Sequence, residues 1–160
     1  MRANGHNTRR AGFSLLELVI SVVIIGIIAA IAIPRMSRGS AGAADSALSG
    51  NLAVLRNAID LYSAEHGGSY PALASFSDLL TKYSNAAGTE TAASRDATHP
   101  YGPYLRAVPP LPVGADKGKT SVVATYTAGN GWIYTVATGQ ITANCDTDEK
   151  DQLDKAYVDY

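Results

Sequence analysis

The chain has little with which to build a covalent or catalytic framework. One of its 160 residues is cysteine, Cys145. No intrachain disulfide and no cysteine-based zinc site can therefore form within one copy, while pairing between copies stays open. The three histidines, His6, His66 and His99, are scattered. No Ser/His/Asp set, phosphate-cradling loop or metal-ligand spacing accompanies them, so an enzyme has no positive support. A formal net charge of -1 gives none of the general basic footprint that nucleic-acid binding needs. Large aliphatic side chains are scarce beyond the first quarter of the chain, where Ala, Gly, Ser, Thr and Tyr dominate. A soluble part with so thin a core is marginal alone and gains from a long helix or from neighbouring subunits.

What the chain does have is concentrated at its start. Residues 1–12 carry Arg2, Arg9 and Arg10 and no acid. An apolar run follows, uncharged from Leu18 to Ile33. Counted from Phe13 to Pro34 it spans roughly 33 Å of helix, close to the thickness of bilayer hydrocarbon. The basic head before it fits retention on the cytoplasmic side. Three readings compete for this segment. One is a secretory signal with a small-residue cut near Ala30-Ile31-Ala32. The second is a plain membrane anchor, and the third is a leader followed by an assembly helix. Glu17 separates them. A carboxylate in an apolar helix costs on the order of 2–3 kcal/mol on insertion scales, and neither an anchor nor a signal gains from it.

Gly12-Phe13-Ser14-Leu15-Leu16-Glu17 resembles the N-terminal signal of type IV pilins and type II secretion pseudopilins. The resemblance implies a cut after Gly12 by a prepilin peptidase, which also methylates the new N-terminus at Phe13. It places the assembly glutamate at Glu17 and family helix-weakening positions at Gly26 and Pro34. It further implies that Glu17 of one subunit meets the α-amine of an incoming chain, a group with a reference pKa near 8. Gly and Pro inside a helix cost about 1 and 3 kcal/mol relative to Ala, so the stretch between Gly26 and Pro34 is weak helix. The implied partners are further copies of the chain, other pilin or pseudopilin subunits, the prepilin peptidase/methyltransferase and inner-membrane assembly proteins. The implied location is the bacterial inner membrane as a single-pass precursor with a cytoplasmic leader, then a periplasmic or cell-surface filament. The competing function is a membrane-tethered binding or sensing domain that never polymerises.

After Pro34 the pattern turns amphipathic. Leu48, Leu52, Leu55, Ile59 and Tyr62 form one helical stripe, extended upstream by Ala41, Ala44 and Ala47. Gly67-Gly68 and Pro71 supply the stop. The expected helix runs from Phe13 to His66, roughly 80 Å. A short helix is expected over 75–84, capped by Ser75 with Asp78 three residues on. The stretch 86–103 should be an exposed loop. Gly102-Pro103-Tyr104-Leu105 and Val108-Pro109-Pro110-Leu111-Pro112 resemble a segment of major pseudopilins.

Ser121–Thr127, Trp132–Ala137 and Gln140–Ala143 read as an antiparallel meander, turned at Gly129-Asn130-Gly131 and Thr138-Gly139. Trp132, Tyr134 and Tyr126 are its candidate core aromatics. The expected class is α+β, a long N-terminal helix packed on a small antiparallel sheet. The expected organisation is a leader at 1–12, an apolar assembly helix at 13–34, an amphipathic helix at 35–66 and a pilin-like head at 67–160. Acids crowd the C-terminus, and Asp146, Asp148 and Asp151 are candidate calcium ligands. Major pseudopilins, which the chain resembles, hold calcium in their C-terminal loops. The spacing does not match an EF-hand, and a solvated acidic tail is the favoured reading.

Overall fold

The computed structural model describes residues 13–160, with the side chains of 32–38 outside the description. The proposed leader and Gly12 lie outside the described residues. The fold is α+β, and the chain divides into two compact units at Gly39/Ser40.

Helix α1 is Leu15–Glu65, within a residue or two of the extent that the periodicity predicts. In the first unit it is an apolar helix, exposed along nearly its whole described surface. Phe13 is 73% exposed and Leu15 80%. In the second unit the helical stripe does what its spacing implies. Leu48, Leu52, Leu55, Ile59 and Tyr62 are all buried, joined by Ala58. Each large aliphatic side chain so buried contributes about 2 kcal/mol. Ala41 and Ala44 are half-buried, but Ala47 turns to solvent. The helix ends where Gly67 (φ 63°) and Gly68 (φ 86°) enter the left-handed region. There Gly68 N–H donates to Ser63 C=O at 2.8 Å, closing a Schellman-type stop.

Two small sheets follow. Strands β1, Tyr83–Ser84, and β2, Thr91–Ala92, pair antiparallel. They form a miniature hairpin in which β1 takes the last two residues of the stretch expected to be helix, 75–84, and β2 lies in the stretch expected to be loop, 86–103. Its turn is organised by Asn85 Oδ1, which accepts from Thr89 N–H at 2.9 Å. The short helix α2 is Phe76–Thr81, preceded by a 3₁₀ turn over Leu73–Ser75. It is shorter than predicted, and the expected cap is not made. Ser75 still belongs to the 3₁₀ turn, and its side chain does not bond the helix start. Asp78 instead pairs with Lys82 at 3.0 Å.

The second sheet runs β3, Val122–Val123, β4, Trp132–Thr135, and β5, Gln140–Ala143. Strand β5 has the predicted bounds, and β4 and β5 pair antiparallel through the Thr138-Gly139 turn. The first strand departs from expectation. Val122–Val123 is all that pairs, and it lies parallel to β4. Residues 124–130 turn back, and both Gly131 N–H and Trp132 N–H donate to Ser121 C=O, at 2.9 and 3.0 Å. The chain thus returns beside its own starting point, where a meander would have continued outward.

Alternation along β4 and β5 buries Trp132, Tyr134, Ile141 and Ala143. Trp132 stands opposite Ala143 and Tyr134 opposite Ile141. These residues form one core with the α1 stripe, α2 and the proline-rich segment at Val108, Leu111 and Val113. Tyr134 packs on Phe76 with ring centroids 4.6 Å apart. Tyr126 is not a core aromatic. It sits on the returning loop and is 49% exposed.

Candidate functional site

The N-terminal helix carries the residues with the clearest chemistry. Glu17 lies in the first turn of α1, where the unpaired N–H groups and helix dipole favour a negative charge. Ser21 Oγ–H donates to the Glu17 backbone C=O at 2.7 Å, satisfying the hydroxyl without using the carboxylate. Among the described residues the Glu17 carboxylate has no ion-pair partner. Leu16, Leu18, Ile20, Val23 and Ile24 around it are exposed. As described, the segment is therefore an apolar surface carrying one acid, which favours an apolar environment and a cationic partner for the carboxylate. Helix α1 continues through Gly26 and Pro34. An added Cβ at Gly26 would meet no atom within 4 Å, so no close packing within one copy requires glycine there. The side chain of Pro34 lies outside the description. Among the described residues no helix is long and apolar enough to cross a membrane. The apolar run continues in sequence beyond Ile31, the last residue of that stretch whose side chain is described.

The C-terminal acids are used differently from a ligand set. Asp146 Oδ1 accepts from Asp148 N–H at 3.3 Å. Asp151 Oδ1 accepts from Leu153 and Lys155 N–H at 2.8 and 2.9 Å. Tyr160 O–H donates to its other oxygen. That bond, with the backbone donors, holds the Asp151 carboxyl below its usual range. Asp154 pairs with Lys150 at 3.0 Å. Among the described residues no group of three or more His, Cys, Asp or Glu is placed to hold a metal ion. Asp146 and Asp151 brace local turns through their carboxylates, and Asp148 contributes its N–H to the first.

Two polar centres were not foreseen. Asn144 is completely buried and fastens the returning loop. Its Nδ2 donates to Thr127 and Asn130 C=O, both at 2.9 Å, and its Oδ1 accepts from Thr127 N–H at 3.1 Å. Strand alternation places residue 144 facing outward, so the sequence holds no signal for this role. His66 is buried at the end of α1. It stacks on Tyr62 at 3.8 Å, with Nδ1 2.8 Å from Tyr62 C=O and Nε2 3.2 Å from Ser84 Oγ. A signal did exist here, because His66 continues the four-three-four spacing of the stripe past Tyr62.

Cys145 is buried beside Glu149. Burial first, then the neighbouring carboxylate, push its thiol up to about 12. It is an inert core residue at neutral pH.

Residues 7–33 match the family model for the prokaryotic N-terminal methylation motif. This is the prepilin motif of type IV pilins and pseudopilins, and it spans Gly12, Phe13, Glu17 and Gly26. The motif implies processing by a prepilin peptidase and assembly with other pilin subunits. No curated protein and no solved structure matches the chain.

Proposed function

We propose that this chain is a structural subunit of a type II secretion pseudopilus or a type IV pilus-like filament. It is held in the inner membrane as a precursor, cut after Gly12, methylated at Phe13 and polymerised through α1. The observation that carries this reading is the lone Glu17 carboxylate, set in the first turn of an apolar, all-round-exposed helix. An unpaired carboxylate in an apolar bundle is costly, and a cation at fixed distance relieves that cost only in the correct stagger. The α-amine freed by cutting before Phe13 is such a cation, carried by every incoming copy. Cleavage on the cytoplasmic side of the apolar run leaves that run on the mature protein, where it serves first as anchor and then as filament core. Gly12, with no Cβ, lets a protease approach the backbone closely.

Mass spectrometry of the native protein tests the reading. A first residue of Phe13 bearing one added methyl group is expected, together with filaments in material sheared from cells. An intact leader, or a cut near Ala32, overturns it.

A further inference from the structure

The first turns of α1 within the head are poor helix by composition. Gly42 and Gly50 alternate there with Ser40, Ser46 and Ser49, residue types that favour other conformations. The Ser46 and Ser49 hydroxyls donate back to Gly42 and Asp45 C=O at 2.9 and 3.3 Å, a local bond that tends to bend a helix. Tertiary packing has to supply the hold. Yet the first fully buried side chain of this helix among the described residues is Leu48. Before it, Ala41, Gly42, Ala44 and Asp45 are only half-buried.

Ala44 packs on the core, and the C-terminal segment reaches Gly42 and Asp45. Tyr157 O–H donates to Asp45 Oδ1 at 2.9 Å. Gln152 sits so close to Gly42 that an added Cβ would stand 3.3 Å from its Nε2. Farther along the helix, Arg56 Nη2 donates to Tyr160 C=O at 2.7 Å. Asp45 and Arg56 are about three turns apart, so the segment is fastened to α1 at two separated points. It is also braced within itself. Tyr157 N–H donates to Glu149 C=O at 3.0 Å, Asp151 N–H to Lys155 C=O at 2.9 Å, and Lys155 Nζ lies 4.0 Å over the Tyr160 ring. Tyr157 and Tyr160 both pack onto the core.

We propose that residues 149–160 form a strap that keeps α1 helical from Ala41 to Ala47, with the Tyr157–Asp45 bond as its fastening. Without it, the half-buried Ala44 is the one hydrophobic contact with the core before Leu48 among the described residues. The strap therefore sets the first residue at which α1 can come apart without opening the core. The inference concerns the head alone and stands whether or not the chain polymerises.

Hydrogen–deuterium exchange of the full chain in detergent micelles tests it. In Tyr157→Phe and in Asp45→Ala, amides of 41–47 should exchange about five- to tenfold faster, as for one lost hydrogen bond, while those of 52–62 stay unchanged. Ala is the better helix former, so faster exchange in Asp45→Ala cannot come from propensity. Asp45→Asn keeps an acceptor oxygen and should stay close to the unaltered chain. The double variant Tyr157→Phe/Asp45→Ala should exchange no faster than either single one. Unchanged exchange at 41–47, or an equal rise across 52–62, overturns the strap.

Discussion

Glu17 and Cys145 are the two residues whose chemistry their surroundings decide most plainly. Glu17 stands on an apolar helix and, among the described residues, has no ion-pair partner. Glu17→Ala should leave membrane insertion intact, since it removes the one acid of the run. Filament yield should fall on the order of tenfold or more, the equivalent of losing a register-setting contact of 1–2 kcal/mol. Comparing the membrane-bound pool with the sheared fraction measures both. Cys145 sits at the other extreme, wrapped by protein and held neutral. Its thiol rises from 9.0 to about 12, and Tyr157 and Tyr160 rise from 10.0 to about 12. For Tyr157 burial leads, and for Tyr160 the bond to Asp151 does. All three raised groups keep their protons in the folded chain after the unfolded chain has lost them. Their contribution to stability is whole below about pH 9 and is lost as pH climbs towards about 12. Denaturant midpoints taken at pH 7.5 and 10.5 should therefore fall, and Cys145→Ala should fall less. Asn144, by contrast, could not be read from the residues. A buried amide just past a strand end looks like any exposed one until the loop it fastens is known.

Elements were legible in proportion to how local their causes are. The α1 stripe depends on a repeat of 3.6 residues and a glycine stop, both written within the segment itself, and its bounds hold within a residue or two. Strand β5 was equally readable, bounded by its own turn. Strand β3 was not. Its β-branched run reads as a longer strand, but its partner is chosen by closure of the loop from 124 to 131 onto Ser121, a distant event. The missed cap at Ser75 has the same origin, because a preceding 3₁₀ turn fixes the serine backbone before the helix begins. At the end of α1, Gly68→Ala should destabilise the head by about 1 kcal/mol, since alanine resists the positive φ that the stop requires. A shift of a few degrees in thermal midpoint reads this out.

At the scale of the whole molecule the chain is two things in series. Among the described residues, every residue of the buried core belongs to the unit that begins at Ser40. A fragment of residues 40–160 should therefore fold cooperatively without the apolar segment. Circular dichroism and a single thermal transition test this, and a molten fragment would show that the head needs residues before Ser40. The proposed assembly residues were visible in sequence because a glycine, a phenylalanine and an acid fall in fixed register on a greasy run. Their partner was not visible, since it would lie on another copy.

One habit of this head recurs. Asn51 reaches Pro110 C=O at 3.0 Å, Trp132 Nε1 reaches Pro109 C=O at 2.9 Å, and Tyr134 reaches Pro71 C=O at 3.1 Å. Long side chains grip main-chain oxygens, which every amino acid possesses. Proline supplies that oxygen while bringing no N–H that would need a partner of its own. The gripping residues are thus tied to their identities, while the gripped ones owe only an atom common to all twenty. Drift in the surface loops can run far before these clasps let go.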